Sequence, residues 1–109
     1  MPWISLMALS ELVDNTPRTV RVFGKKILVL RQGDRVYALE DRCSHENNPL
    51  ADGYASPGKI ACPRHGALFD LASGAALTPP AYEAVSVYPV TVENGVVRIN
   101  VTEEAGYGS

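Results

Sequence analysis

The chain has 109 residues, with ten basic and twelve acidic side chains, a formal net charge of −2, 46 % hydrophobic residues and 20 % charged ones. This is the size and composition of one soluble domain, 1–109, with a modest core. Balanced charge offers no basic field for nucleic acid, no stretch nears the roughly 20 apolar residues of a membrane helix, and Met1-Pro2-Trp3-Ile4-Ser5 lacks the start of a secretory signal; the expectation is a cytoplasmic monomer.

In chain order, Trp3 is expected to anchor a first strand in the core, and 9–13 reads as a brief helix. The runs 19–23 (TVRVF) and 26–30 (KILVL) are β-branched or apolar and predict a hairpin turning at Gly24-Lys25. A second turn at Gly33-Asp34 leads into a strand over 36–39. The last third predicts strands over 85–92 and 96–101 around Asn94-Gly95, the strongest two-residue hairpin signal. Gly53 and Gly74 read as plain turn residues. The fold class is all-β: antiparallel sheets, with strands from both chain ends forming a base domain and the stretch from roughly 40 to 80 inserted as a subdomain.

That inserted stretch holds every cysteine and histidine of the chain, in two knuckles. They are Cys43-Ser44-His45 and Cys62-Pro63-Arg64-His65, with sixteen residues, 46–61, between them. Two thiolates and two imidazoles make a four-ligand metal set, so Cys43, His45, Cys62 and His65 are the candidate ligands. Structural zinc usually takes both cysteines from one knuckle and both histidines from a helix. Here each knuckle mixes one of each, which favours a binuclear iron–sulfur centre; zinc and a metal-free thiol pair remain the alternatives. With all four side chains on metal, no imidazole is left as a general base and no thiolate as a nucleophile, which argues against an enzyme in its own right.

The segment 43–70, read as CSH, then Pro49-Leu50-Ala51-Asp52-Gly53, then CPRHGALFD, resembles the cluster-binding loops of Rieske ferredoxins, the small electron carriers of bacterial ring-hydroxylating dioxygenase systems. The resemblance implies a Rieske-like fold whose inserted subdomain holds one [2Fe-2S] cluster, with Cys43 and Cys62 on the inner iron and His45 and His65 on the outer one. It implies a flavin-containing NAD(P)H reductase as electron donor and a terminal oxygenase, acting on an aromatic or other hydrophobic substrate, as acceptor. The same fold also resembles the small subunit of assimilatory nitrite reductases, an alternative role for the same cluster.

Ala67 and Phe69 stand where high-potential Rieske proteins carry a serine and a tyrosine, and Asn48 and Arg64 where those proteins carry a disulfide. Hydrogen bonds to sulfur favour the reduced cluster, so their loss predicts a potential toward the low end of the Rieske range of about −150 to +300 mV. Gly66 is expected to let backbone amides approach the cluster, and Pro79-Pro80 resembles the proline loop that packs over it. Arg42, Glu46 and Arg64 flank the ligands and are candidates for tuning partner docking.

Overall fold

The computed structural model describes residues 3–42, 49–63, 66–79, 81 and 83–101. Among them there is no α-helix; ten strands and two 3-10 turns, Leu9–Glu11 and Leu50–Asp52, make up the regular structure. No helix among the described residues is long and apolar enough to cross a membrane.

The strands form three antiparallel sheets. The first joins the two chain ends, with β1 (Trp3–Ala8) and β9 (Val90–Glu93) on either side of β10 (Val96–Asn100). The second has the order β2 (Arg18–Val22), β3 (Lys25–Gln32), β4 (Arg35–Glu40) and β8 (Val87–Tyr88). Between β4 and β8 the chain leaves to build the third sheet, β5 (Tyr54–Ser56), β6 (Lys59–Ala61) and β7 (Leu68–Asp70). The expected plan, a base from both ends with an insertion from its middle, is the one observed.

The β3 run explains how three sheets share two cores. Ile27, Leu28, Val29 and Leu30 are all fully buried. Ile27 and Val29 enter a core with Val97, Ile99 and Val101, while Leu28 and Leu30 enter a second core with Leu50, Ile60, Phe69 and Leu71. A strand buried on both faces shows a continuous apolar run rather than alternation, and β4 repeats the division with Ala38 on one side and Leu39 on the other. The middle sheet is thereby the rigid plate on which the inserted sheet stands.

Four expectations are corrected in detail. The first hairpin turns at Phe23-Gly24, one residue earlier than predicted, because Val22 pairs with Lys25; both turn residues are left-handed, φ +51° and +77°, as a type I′ turn demands. The run 85–92 is two short strands in different sheets, interrupted at Pro89, which has no N–H for a ladder. Trp3 is 39 % exposed: it falls on the outward parity of β1, whose Ile4 and Leu6 face the core instead. Gly74 is more than a turn residue, since its φ is +77° and a Cβ there would lie 2.1 Å from the Val85 carbonyl oxygen. The turns at Gly33-Asp34 and Asn94-Gly95 lie where expected, and the brief helix is the 3-10 turn Leu9–Glu11.

Candidate metal centre

The second ligand knuckle is the loop of the β6–β7 hairpin. The ladder's last pair is Ala61 with Leu68, and the main chain carries the closure one step further: the Cys62 amide donates to the Ala67 carbonyl at 2.8 Å, and the Gly66 amide donates to the Cys62 carbonyl at 3.0 Å. Gly66 has φ +71°, and a Cβ there would meet nothing within 4 Å among the described residues. What the glycine supplies in this loop is the left-handed turn that closes it. Cys62 is 1 % exposed and packs with Leu50, Ile60, Ala67 and Phe69. Arg64 and His65 lie outside the described residues.

The segment that carries the first knuckle runs from the end of β4 to the 3-10 turn Leu50–Asp52, and Cys43, His45, Glu46 and Asn48 lie outside the described residues. Its two ends are described and tightly held. Asp41, 3 % exposed, accepts a hydrogen bond from the Ala51 amide at 2.8 Å on Oδ1 and one from Thr19 Oγ1 at 2.6 Å on Oδ2. The next residue along, Arg42, is exposed and pairs its Nε with Glu40 Oε2 at 3.0 Å. Glu40 also accepts from the Ser86 amide through Oε1 at 3.2 Å, which ties the loop's entry to the returning chain.

Gly53 sets the chain that follows the first knuckle against the strand that leads into the second. A Cβ at this position would lie 1.9 Å from the Ala61 carbonyl oxygen and 3.1 Å from that of Leu50. The exit of the first knuckle therefore sits in backbone contact with the residue before Cys62, an approach only glycine permits. This overturns the reading of Gly53 as an ordinary turn residue.

Ala67 and Phe69, both fully buried, wall the base of the second loop with no side-chain hydroxyl. Beside them the segment preceding the prolines is laid along β7: Phe69 bridges Ala76, the Leu77 amide donates to the Leu68 carbonyl at 2.7 Å, and the Leu68 amide donates to Thr78 Oγ1 at 2.8 Å. Thr78 thus delivers Pro79 to the side of the ligand loop, while Pro80 lies outside the described residues. Below, Asp70 caps the next turn through the Ser73 hydroxyl and amide, both at 2.8 Å, and these bonds hold its carboxyl below the usual carboxylate range. On the opposite side of the insertion, burial and then the Glu40 carboxylate push the Tyr88 phenol above its ordinary value.

Of the four candidate donors, Cys62 alone lies among the described residues. Cys62, in the apolar interior and out of reach of solvent, fits an inner ligand rather than a reactive surface thiol. Asp41, Thr19, Gly53 and Thr78 lie in neither knuckle, and no local pattern marks them; Thr19 and Asp41 are 22 residues apart and meet only through strand pairing.

Residues 2–89 match the model of the Rieske [2Fe-2S] domain. The chain is 40 % identical over 100 residues to the anthranilate 1,2-dioxygenase ferredoxin subunit of Burkholderia cepacia, covering 91 % of this chain and 92 % of that protein. Among solved structures, the Sphingomonas yanoikuyae B1 ferredoxin superposes with a TM-score of 0.86 at 32 % identity, over 93 % of this chain and 100 % of the other. A chain in the complex of reduced oxygenase and oxidized ferredoxin in carbazole 1,9a-dioxygenase superposes with a TM-score of 0.84 at 33 % identity, over 89 % of this chain and 91 % of the other.

Proposed function

The chain belongs to the Rieske [2Fe-2S] domain family, and on that footing we propose that it is the ferredoxin of a ring-hydroxylating dioxygenase system. It takes single electrons from a flavin-containing NAD(P)H reductase and gives them to a terminal Rieske non-haem iron oxygenase. The observation that carries this reading is the near end-to-end likeness to a protein named as a dioxygenase ferredoxin subunit. We take it to work in the cytoplasm, where an NAD(P)H-oxidising donor would act, and as a monomer that meets its two partners in turn.

We assign Cys43 and Cys62 to the inner iron and His45 and His65 to the outer one, within a cluster-binding part spanning roughly 40 to 80 of a single domain, 1–109. When bound, the cluster stores and releases one electron. Everything else falls to the chain. The main-chain bonds of Cys62 and the Gly53 approach keep the loops from rearranging as the charge changes, which matters because electron transfer slows with each reorganisation. Ala67 and Phe69 exclude water without offering a hydroxyl to sulfur, so the midpoint belongs in the lower half of the family's range.

The test is electron paramagnetic resonance of anaerobically purified protein before and after dithionite. A rhombic signal on reduction, with an average g value below that of an all-cysteine cluster and lost in Cys62→Ser and His65→Ala, supports the ligand assignment. Stoichiometric zinc with no signal would refute it. Electron delivery to a terminal oxygenase, in a mixture with the reductase and NAD(P)H, supports the role.

A further inference from the structure

Asp41 is the one charged residue buried among the described residues, and nothing in the electron-carrying reading uses it. A buried carboxylate is costly unless its oxygens are hydrogen-bonded, and both of these are. Oδ2 accepts from Thr19 Oγ1 of β2 at 2.6 Å, and Oδ1 accepts from the Ala51 amide in the 3-10 turn at 2.8 Å. Its own amide donates to the Lys26 carbonyl of β3 at 3.1 Å. One residue therefore joins β2 and its neighbour β3 to the 3-10 turn that follows the first ligand knuckle.

The bond from Ala51 to Asp41 spans ten residues, and Cys43 and His45 lie within that span. A loop whose ends are free samples many separations of its ligands. One whose entry and exit share a carboxylate samples few. Bonds to an ionised acceptor are the strong kind, and this one is shielded from water. Gly53, two residues beyond Ala51, then sets the clamped loop against Ala61.

We propose that Asp41 is the positioning residue of the first ligand loop: its carboxylate clasps both ends of the segment 41–51 to β2, so that Cys43 and His45 meet iron in one fixed register. The inference rests on the reading of Cys43 and His45 as ligands. Asp41 itself touches no reacting atom; it acts through the loop.

The experiment compares the cluster-loaded full chain with Asp41→Ala, Asp41→Asn and Thr19→Val. It reads the rate at which visible absorption is lost to a ferrous chelator, the g values of the reduced protein, and thermal unfolding. Asp41→Ala should bleach roughly tenfold faster or more and show altered g values, because Ala51 and Thr19 lose their shared acceptor. In Asp41→Asn the amide oxygen still accepts from Ala51, and the amide nitrogen donates to Thr19 Oγ1. That variant should restore the wild-type g values and bleach within about threefold of wild type. Thr19→Val, isosteric and on an exposed strand position, should bleach about threefold faster.

If Asp41→Ala unfolds more readily yet keeps wild-type bleaching and g values, the carboxylate merely supports the fold and the inference is overturned. Should that variant not fold, wild-type bleaching in Thr19→Val overturns it equally. A wild-type protein without the rhombic signal brings down the ligand assignment and this inference together. A wild-type signal with unperturbed variants brings down this inference alone.

Discussion

Replacing Gly53 by alanine adds one methyl group at the place where the chain that follows the first knuckle touches the strand that leads into the second. The new Cβ would sit 1.9 Å from the Ala61 carbonyl oxygen, against about 3.4 Å for an ordinary contact, so the segments must part by about 1.5 Å. No side chain can rotate away, because the obstructing atoms are backbone, and the neighbouring ladder pair Tyr54–Ala61 has to yield. Overpacking of this kind costs roughly 1–3 kcal/mol, and a strained or lost ladder bond adds about 1 kcal/mol. At roughly 4–8 °C per kcal/mol for a domain of this size, about 3 kcal/mol lowers the unfolding midpoint by roughly 12–24 °C. The parting also separates the knuckles, so Gly53→Ala should purify with well under one cluster per chain. The control is Gly58→Ala, in the turn of the same hairpin, where φ is +72° and a Cβ meets nothing within 4 Å. It costs only the left-handed strain of about 1–2 kcal/mol and keeps its iron. The assay is iron and acid-labile sulfide per chain alongside thermal unfolding. Full iron in Gly53→Ala, with a midpoint matching that of Gly58→Ala, would refute the claim that this approach aligns the loops.

Three further outcomes are expected. The Ser73 bonds lower the Asp70 pKa below its ordinary 3.8, so they stabilise the fold above that value and the contribution is lost as pH falls through the lowered one; in Ser73→Ala, a carboxyl-carbon NMR titration should move Asp70 upward, and the stability gap to wild type should close in acid. Tyr88, raised by burial and Glu40, contributes stability that is complete below pH 10.0 and lost as pH rises through its folded value. The Tyr88 phenol should therefore ionise above pH 10.0, and Tyr88→Phe should lose less stability in alkali, with an unchanged alkaline profile counting against the burial argument. Phe23 holds φ +51° while half exposed at a hairpin tip, so Phe23→Asn, which makes an Asn-Gly type I′ turn, should raise the unfolding midpoint by about 4–8 °C, the equivalent of about 1 kcal/mol.

The parts of this protein that are legible in its sequence are those set by neighbours in the chain. Asn94-Gly95 specifies its hairpin because both residues accept left-handed φ, and the apolar run 27–30 declares a strand, although its burial on both faces emerges only in the fold. The candidate ligand set stands out because four side chains of rare chemistry fall in two short knuckles. Phe23-Gly24 is the instructive near miss. A large aromatic is a poor candidate for a left-handed turn position, so the local signal pointed one residue downstream, while the packing of Val20 and Val22 against the base core decided the register.

What the tertiary structure alone decided concerns residues whose importance is a matter of contact at long range. Whether Trp3 points inward depends on the parity of β1 against β10, a pairing between opposite ends of the chain. Gly53 and Gly74 look alike to Gly33 or Gly58 in the sequence, and only the backbone carbonyls of Ala61 and Val85 distinguish them. Asp41 reads as one more acidic residue after a strand. It becomes the clasp of a ligand loop because strand pairing brings Thr19 to one of its oxygens and the 3-10 turn brings Ala51 to the other. The sequence by itself determined the chemistry, since ligands are written as residue types at short spacing; folding decided the alignment, since alignment is made of distances between segments that the chain order keeps apart.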